Sequence, residues 1–155
     1  MTMKATLCHI IDKNLLLLQK KSAGLFGGGK WNGVGGKLKT GESPKEGAAR
    51  EALEETGFSV SELKTHGVLN FYFGQKAKPD WIVYVFSTNL FTGKLVSNEE
   101  GILQWFPLYE VPYDEMWEDD KHWLPLLLEG KRFNGDFYFD KNGINLLDFN
   151  LETTH

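Results

Sequence analysis

The sequence predicts a single α+β domain. Three features favour this class: a well-capped helix near the middle of the chain, short apolar or alternating segments on both sides of it, and a second helical stretch towards the C-terminus. The length of 155 residues suits one domain, residues 1–155, with enough chain to bury a core. Hydrophobic content of 41% with charged content of 25% is typical of a soluble globular protein.

The chain opens with a predicted β-hairpin. Thr6–Ile11 is apolar, and Leu15–Gln19 is almost continuous in leucine, which predicts a strand buried on both faces. Asp12, Lys13 and Asn14 form the turn between them. Trp31–Gly36 is a further short strand, whose glycines let the backbone come close to a ligand or to another element.

The glycine-rich segment at residues 22–30 nearly matches a phosphate-binding P-loop. Its glycines and Lys30 fit the spacing G-x4-G-K. The next residue, however, is Trp31, where that motif needs a metal-binding hydroxyl, and no helix begins there. We therefore interpret the segment as a flexible loop, with Phe26 as a wall of a pocket.

The central helix is predicted to run from Pro44 to Thr56. Ser43 is a suitable N-cap, Pro44 suits the first helical position, and Glu46 follows three residues after the cap, as in a capping box. Gly57 supplies the C-terminal stop.

The two sides of this helix differ in chemistry. A wheel of about 100° per residue places one group of residues towards the sheet: Ala48, Ala49, Ala52, Leu53 and Thr56. Glu51, Glu54 and Glu55 share the other side, and only Arg50 lies near them to compensate their charge. A solvated face is the usual interpretation of such acids. Three crowded carboxylates are also the ligands that a hard divalent cation such as Mg²⁺ or Mn²⁺ prefers, and the sequence leaves both alternatives open here.

The rest of the chain is predicted to be mainly strands. Val60–Leu63 is expected to be a short connector. Strands are predicted at Gly67–Phe73, Trp81–Leu90, Leu103–Phe106, Phe133–Phe139 and Ile144–Phe149. Turns or loops are expected at Gly74–Pro79, Phe91–Lys94, Ser97–Gly101 and Asp140–Gly143.

The segment Val111–Glu129 is predicted to be mostly helical. It contains Trp117, followed closely by Asp119 and Asp120. One of these two acids is a possible N-cap for the helix that runs to Glu129, in which case neither would touch a ligand.

Composition narrows the classes of partner. The net charge of −4 argues against a nucleic-acid polymer. The single cysteine, Cys8, forms no internal disulfide and fits a reducing compartment, so we expect a cytoplasmic protein. We find no signal peptide, and the longest apolar run, Leu15–Leu18, is too short to span a membrane. We expect a monomer acting on a small molecule.

The central helix and the residues before it resemble a family motif. Gly36, five residues, Glu42, seven residues and then REALEETGF from Arg50 match the Nudix box, G-x5-E-x7-R-E-U-x-E-E-x-G-U, where U is a bulky aliphatic residue. Every charged and glycine position fits. Ala52 is smaller than the usual aliphatic residue, which concerns helix packing and not chemistry. The resemblance implies a Nudix α/β/α sandwich with a mixed central β-sheet.

The similarity continues beyond the box, from about Thr6 to Phe149. WNGVGGK, WFPL and MWEDDKHWLPLLLEGKRF resemble the MutT-related branch of the Nudix family that hydrolyses oxidised purine nucleoside triphosphates such as 8-oxo-dGTP and 2-hydroxy-dATP. Trp81 falls where that branch has a smaller, flexible side chain, so the pocket size is expected to differ.

This resemblance implies roles for individual residues. The metal ligands implied for Mg²⁺, or alternatively Mn²⁺, are Glu51, Glu54, Glu55, Glu100 and the carbonyl of Gly35. Arg50 is expected to orient Glu51. The implied substrate-binding residues are Thr6, Lys20, Phe26, Asn32, Phe71, Trp117, Asp119 and Asp120, of which Asn32 and the two acids bond the purine edge and Trp117 stacks on it. Glu51, Glu100 and a metal-bound water network all remain candidates for the general base.

Three functions are compatible with these residues. The first is hydrolysis of oxidised purine nucleoside triphosphates to monophosphate and pyrophosphate. The second is hydrolysis of another nucleoside diphosphate derivative, such as ADP-ribose or a dinucleoside polyphosphate. The third is a non-catalytic nucleotide-binding Nudix domain. The combination of Asn32, Trp117, Asp119 and Asp120 disfavours the second, and the intact box disfavours the third.

Overall fold

The computed structural model describes residues 1–22, 28–96 and 101–154. The described residues form two α-helices, α1 (Pro44–Thr56) and α2 (Asp120–Leu128), and eleven strands. The strands are β1 (Met3–Asp12), β2 (Leu15–Lys21), β3 (Trp31–Asn32), β4 (Val34–Lys37), β5 (Phe58–Ser61), β6 (Lys64–Phe73), β7 (Trp81–Thr88), β8 (Leu90–Gly93), β9 (Gly101–Pro107), β10 (Arg132–Phe139) and β11 (Leu146–Thr154). None of these helices is long and apolar enough to cross a membrane.

Nine of the described strands form one mixed sheet in the order β11-β10-β6-β7-β1-β2-β3, with β4 also pairing with β1 and β9 with β2. The β1–β7 and β6–β10 pairs are parallel, and the other pairs in this sheet are antiparallel. The predicted opening hairpin exists only at its tip, where Ile11 pairs with Leu16 and Asp12 with Leu15. Beyond the tip, β1 continues against β4 and β7, whereas β2 continues against β9 and β3.

The two helices cover opposite faces of this sheet. Alternate residues of β1 enter different cores: Cys8 and Ile10 pack with Ala48 and Ala52 of α1, whereas Ala5 belongs to the core around α2. Because successive side chains of a strand point to opposite faces, the two cores lie on the two sides of the sheet. The sandwich with a mixed central sheet that the resemblance implied is therefore confirmed.

Helix α1 begins and ends where the sequence predicts. The Glu46 N–H donates to Ser43 Oγ over 3.2 Å, and the Ser43 N–H donates to Glu46 Oε1 over 3.0 Å, so the capping box is formed. Gly57 has φ of 84°, and its N–H donates to the carbonyl of Leu53. This left-handed conformation strains any residue except glycine.

The predicted rotation of α1 is correct for Ala48, Ala52 and Thr56, which are buried, and wrong for Leu53 and Glu55. Leu53 was expected to face the sheet, but it is 52% exposed, and Ala49 is only half-buried. Glu55 was expected on the outer side and is 5% exposed. The helix turns the small residues Ala48 and Ala52 towards the sheet and admits Glu55 because strand β4 supplies a hydrogen bond to that carboxylate.

Three other local predictions differ from the structure. The predicted connector and hairpin turn at Val60–Leu63 and Phe91–Lys94 instead contribute to a separate two-stranded sheet, in which β5 pairs with β8. The segment Val111–Glu129 contains a 3₁₀ turn, Tyr113–Glu115, and only the nine residues of α2 as α-helix. Strand β11 starts at Leu146 rather than Ile144, because the Ile144 N–H is bonded to the Asp140 carboxylate in the turn.

Candidate active site

A cavity of about 700 Å³ lies where the two parts of the sheet separate, within the size range of pockets for small-molecule ligands. Strands, helix α1 and the segment before α2 all contribute to its wall. The lining residues are Ala5, Thr6, Leu7, Lys21, Lys30, Asn32, Gly33, Gly35, Gly36, Lys37, Glu51, Glu55, Phe71, Phe73, Trp81, Val83, Trp117, Asp119, Asp120, Trp123 and Phe139. The cavity therefore joins the α1 carboxylates to the aromatic and acidic residues that the sequence singled out around Trp117.

The three acids of α1 have different surroundings. Glu51 lines the cavity, and its Oε1 accepts a hydrogen bond of 3.1 Å from Arg50 Nη1. Glu54 is about half exposed and accepts from the same nitrogen over 3.1 Å. Glu55 is buried, and its Oε2 accepts the backbone N–H of Gly35 over 2.8 Å. Glu51 and Glu54 thus lie close to the Arg50 guanidinium, whereas Glu55 fixes α1 to β4.

Arg50 is held by an acid that the sequence analysis did not assign a role. Its Nε and Nη2 donate to the two carboxylate oxygens of Glu42 over 2.6 and 3.0 Å, and Nη2 also donates to the carbonyl of Lys37. The hydrogen bonds from the Arg50 guanidinium lower the pKa of Glu42 to about 2. The carboxylates of Glu42, Glu51 and Glu54 in turn raise the pKa of Arg50. Glu42 and Arg50 therefore stay charged, and the guanidinium plane is fixed against Glu51 and Glu54.

The two glycines before α1 bring the backbone against the site. A Cβ on Gly35 would lie 1.9 Å from the carbonyl oxygen of Thr6, and one on Gly36 would lie 2.6 Å from Glu51 Oε1. Any side chain at Gly36 would therefore displace the Glu51 carboxylate. Glycine is needed at these positions for close approach, as the sequence predicted for the WNGVGG segment.

The far end of the cavity holds two buried acids. Asp119 is 3% and Asp120 2% exposed, and both line the cavity. Asp119 Oδ2 accepts the indole N–H of Trp123 over 2.7 Å, and although Asp119 is in the N-cap position its side chain makes no capping bond. Asp120 Oδ1 is buried and has no hydrogen-bond partner among the residues that the structure describes. The capping alternative is therefore wrong for Asp119, and Asp120 presents an unsatisfied acceptor.

Burial governs the protonation of this pair. Loss of hydration raises the pKa of Asp119, although the Trp123 hydrogen bond partly opposes the change. Burial, and then the neighbouring Asp119 charge, raise the pKa of Asp120. Two carboxylates in one dry site resist carrying two negative charges, so the pair retains a proton to higher pH than isolated aspartates would.

Aromatic side chains form the walls between the two ends. Phe71, Phe73 and Trp81 lie on β6 and β7, and Phe71 stacks on Phe137 with ring centroids 5.8 Å apart. Trp117 also lines the cavity and lies edge to face with Phe139, with ring centroids 6.1 Å apart. A planar, apolar group fits between such walls.

Two of the predicted polar residues also line the cavity. Asn32 uses its side-chain oxygen to accept the N–H of Gly33 over 2.9 Å, which fixes the amide orientation. Thr6 is 1% exposed, and within residues 1–22, 28–96 and 101–154 its hydroxyl has no hydrogen-bond partner. Such an unpaired buried hydroxyl costs stability unless a ligand or water satisfies it.

The lysines differ from the prediction. Lys20 was expected at the pocket edge but is not part of the cavity wall. Its ammonium lies 3.8 Å from a carboxylate oxygen of Glu115 and near the Trp31 ring. The next residue, Lys21, lines the cavity instead, because side chains alternate along β2. Lys30 and Lys37 add further positive charge.

Comparison with known proteins agrees with this geometry. A family model described as the NUDIX domain matches residues 1–127. The chain belongs to the Nudix family. It is 42% identical over 135 residues to the oxidized purine nucleoside triphosphate hydrolase of Mus musculus, covering 86% of this chain and 85% of the relative. It is 39% identical to the protein of the same name from Danio rerio, covering 90% and 88%. A crystal structure of a MutT protein from Bacillus halodurans superposes with a TM-score of 0.86 at 28% identity and covers 97% of both chains.

Nudix hydrolases generally use divalent metal ions, and the donors of this box suit one. Glu51 and Glu54 supply hard carboxylate oxygens close to the same guanidinium nitrogen, and Gly36 lets the Glu51 carboxylate lie against the backbone. Among residues 1–22, 28–96 and 101–154, no three acidic, histidine or cysteine side chains are grouped closely enough to enclose a metal ion by themselves. Glu55 also lines the cavity, and its Oε2 accepts the Gly35 N–H, whereas the expected ligand Glu100 lies outside the described residues.

Several Nudix-site residues were missed by sequence reasoning. Glu42 was matched as a motif position without a role, although its eight-residue separation from Arg50 was an available signal. Lys21, Lys37, Phe73, Trp123 and Phe139 gave no local signal, because they reach the cavity only through sheet pairing and helix packing. The predicted pocket wall Phe26 lies outside the described residues.

Proposed function

We propose that this protein hydrolyses oxidised purine nucleoside triphosphates to the monophosphate and pyrophosphate, with Mg²⁺ as the natural cation and Mn²⁺ as a substitute. The observation that carries the proposal is the pair Asp119 and Asp120, buried between aromatic walls in the cavity that also contains the Nudix-box carboxylate Glu51. The names of the mouse and zebrafish relatives support the same substrate class.

The acidic end suits the edge of a purine. A guanine edge presents N1–H and amino donors, and Asp120 Oδ1 is a buried acceptor that no described residue satisfies. An 8-oxo purine carries an additional N7–H donor that normal guanine lacks, which favours a pocket rich in acceptors. The raised pKa values of the two acids leave a proton on the pair at mildly acidic pH, so that the pair can also donate one hydrogen bond.

The aromatic walls suit the faces of the same base. Trp117, Phe71 and Phe73 line the cavity and can contact the faces of a planar ring, and Asn32 lies on the cavity wall with its amide already oriented. Stacking is tolerant of base identity, so the walls supply affinity and the acids supply discrimination.

The opposite end of the cavity suits the phosphates. Glu51 and Glu54, with Arg50 held in place by Glu42, are the residues that would hold the divalent cation. When bound, such a cation neutralises charge on the phosphoanhydride oxygens and lowers the pKa of an attacking water. Lys37 adds a positive charge to the cavity wall next to Gly36, where it can balance a polyphosphate.

The test is a substrate panel with Mg²⁺ and chromatographic identification of products. The panel contains 8-oxo-dGTP, 2-hydroxy-dATP, dGTP, dATP, dCTP and ADP-ribose. We expect kcat/KM to be highest for an oxidised purine triphosphate, with monophosphate and pyrophosphate as products. Asp120→Asn should reduce this preference, because an amide nitrogen replaces one carboxylate acceptor, at a cost of about 1–3 kcal/mol in transition-state binding.

A matched exchange elsewhere controls for charge. Asp148→Asn removes the same charge from an exposed position of β11 and should leave the preference unchanged. Higher kcat/KM for ADP-ribose than for every triphosphate, or equal values for dGTP and 8-oxo-dGTP, would contradict the proposal.

A further inference from the structure

His9 is a fully buried polar residue to which the Nudix box gives no role. It lies in the middle of β1, on the face whose other residues, Ala5, Leu7 and Ile11, pack into the apolar core around α2. Its Nδ1 lies 3.3 Å from the carbonyl oxygen of Phe86, which can only accept a hydrogen bond, so the ring proton is on Nδ1. Nε2 is then a buried acceptor to which no residue in the described ranges donates. An imidazole is unfavourable at such a position unless its shape or its bare nitrogen is needed.

The edge of the His9 ring that carries Nε2 meets Gly33, between β3 and β4. A Cβ on Gly33 would lie 2.6 Å from Nε2, and the three nearest heavy atoms outside the neighbouring residues would all belong to the His9 ring. Because burial lowers the pKa of His9 to about 4, Nε2 carries no hydrogen near neutral pH and can approach the glycine backbone closely. The Gly33 N–H donates to the side-chain oxygen of Asn32 over 2.9 Å, and both residues line the cavity. His9 thus packs behind the backbone that holds the Asn32 amide.

His9 also contacts Trp123 of α2. The two rings lie edge to face, with centroids 5.5 Å apart and an interplanar angle of 75°. Trp123 is completely buried, and its indole N–H donates to Asp119 Oδ2 over 2.7 Å. A displaced His9 ring would therefore change the orientation of the indole and the hydrogen bond that holds the Asp119 carboxylate.

We propose that His9 is a positioning residue for the acidic end of the cavity, which sets the distance between the Asn32 amide and the Asp119 carboxylate by packing against Gly33 and Trp123. The inference rests on the proposed function, in which both groups bond the same purine edge. Two polar groups serve one planar edge only at a fixed separation, because hydrogen bonds weaken steeply with distance and angle. A closely packed interior transmits this constraint, since it leaves little free volume into which Gly33 or Trp123 could move.

The first test is His9→Leu, which removes the planar ring and keeps the position apolar. We expect KM for 8-oxo-dGTP to rise about tenfold while kcat changes less than about twofold, because the base contacts are weakened equally in the bound substrate and in the transition state. The ratio of kcat/KM for 8-oxo-dGTP to that for dGTP should fall as well. A mere loss of folded enzyme would instead lower kcat for both nucleotides and leave both KM values unchanged.

A packing control lies next to His9 on the same strand. Ile10 is equally buried, on the other face of β1, and does not line the cavity. Ile10→Val loses core packing and should leave KM and the substrate ratio unchanged.

Gly33→Ala tests the same contact from the other side, and does so even if His9→Leu does not fold. The backbone of Gly33 is not left-handed, so the added methyl acts through its contact with His9. We expect KM for 8-oxo-dGTP to rise about tenfold in the otherwise wild-type protein and clearly less in a His9→Ala background, where the methyl has space. Equal effects in the two backgrounds would overturn the inference.

Hydrogen exchange in the free protein gives a readout that is independent of turnover. In His9→Leu, the Trp123 indole N–H and the Gly33 backbone N–H should exchange faster than in the wild type, each measured by NMR relative to the backbone amides of β10. The two rates should stay unchanged in Ile10→Val on the same scale. Unchanged rates in His9→Leu would mean that His9 holds neither group, and would overturn the inference.

Failure of the inference and failure of the proposed function are distinguishable. A fall in kcat for both nucleotides with unchanged KM in His9→Leu would show a general structural role and refute positioning by His9. A wild type that does not prefer 8-oxo-dGTP over dGTP would refute the proposed function instead. The exchange rates of the Trp123 and Gly33 N–H groups would then still decide whether His9 positions this end of the cavity.

Discussion

The backbone N–H of Gly35 donates a hydrogen bond of 2.8 Å to Oε2 of Glu55, and this contact fixes helix α1 to strand β4. Glu55 is therefore a buried structural acceptor in this arrangement, although its sequence position is that of a box acid. The bond also explains the rotation of α1, because a carboxylate can face the sheet only where a donor meets it.

Glu55→Ala should lower the free energy of unfolding by about 1–3 kcal/mol, since it leaves the Gly35 N–H unsatisfied in a partly buried site. Glu55→Gln keeps an oxygen acceptor and should cost less. Chemical denaturation of both variants without added metal measures the difference. Equal stability of Glu55→Ala and the wild type would mean that this bond does not hold the helix.

Glu54→Gln should lower kcat by orders of magnitude while the melting temperature stays close to that of the wild type. The side chain is about half exposed, so its role lies in chemistry and not in packing. Glu152→Gln, an exposed exchange on β11, is the matched control.

Addition of EDTA should abolish turnover in the wild type, and near-normal activity in EDTA would exclude a metal-dependent reaction.

Leu53→Ala should change the free energy of unfolding by less than about 0.5 kcal/mol, as is usual for an exposed substitution. If Leu53 faced the sheet, as the helical wheel predicted, Leu53→Ala would instead lower the free energy of unfolding by about 2–5 kcal/mol. Ala52→Leu, one position earlier, places a large side chain at a fully buried site and should destabilise by about 1–3 kcal/mol. Comparing the thermal unfolding of the two variants with that of the wild type shows which face of α1 meets the sheet.

Asp119→Ala should reduce both activity and stability. It removes the acceptor of the Trp123 indole N–H, which costs about 1–3 kcal/mol in unfolding free energy. It should also lower kcat/KM for 8-oxo-dGTP more than for dGTP. A Trp123→Phe background separates the two effects: the stability loss should shrink there, whereas the loss of substrate preference should remain.

Acidification should destabilise the protein in part through His9. Burial lowers the pKa of His9 from 6.5 to about 4, because the ring is enclosed beside Trp123 and its Nε2 has no hydrogen-bond partner in the described part of the chain. The unfolded chain therefore binds a proton between these pH values that the folded chain does not, and the stability contributed by neutral His9 is lost as pH falls from 6.5 towards 4.

The variant His9→Leu isolates this contribution. Its free energy of unfolding should fall less than that of the wild type between pH 6.5 and pH 4, measured by denaturant titration at each pH. His122, which is only half-buried, provides the comparison: His122→Leu should leave most of the pH dependence in place. Parallel pH curves for the wild type and His9→Leu would exclude His9 as the acid-sensitive group.

Features that depend on nearby residues could be predicted from the sequence. The limits of α1 follow from Ser43, Pro44 and Gly57, whose conformational preferences act within one turn of the helix. The spacing of the box acids is also local, and it was sufficient to predict the family and the carboxylates near Arg50. The mixed sheet was predicted only from the resemblance to that family.

The tertiary structure decided what depends on residues far apart in the chain. The hydrogen bond from Gly35 to Glu55, rather than the hydrophobicity of Leu53, set which face of α1 meets the sheet. Residues 58–61 and 90–93 became strands only because they pair with each other. Asp119 and Asp120 became buried, with the Trp123 indole N–H bonded to Asp119, only through the packing of α2 against the sheet. The sequence by itself determined which chemical groups are present and how each short segment folds. Their burial, charge state and mutual distances arose from long-range contacts, whose free energies exceed the local preferences they override.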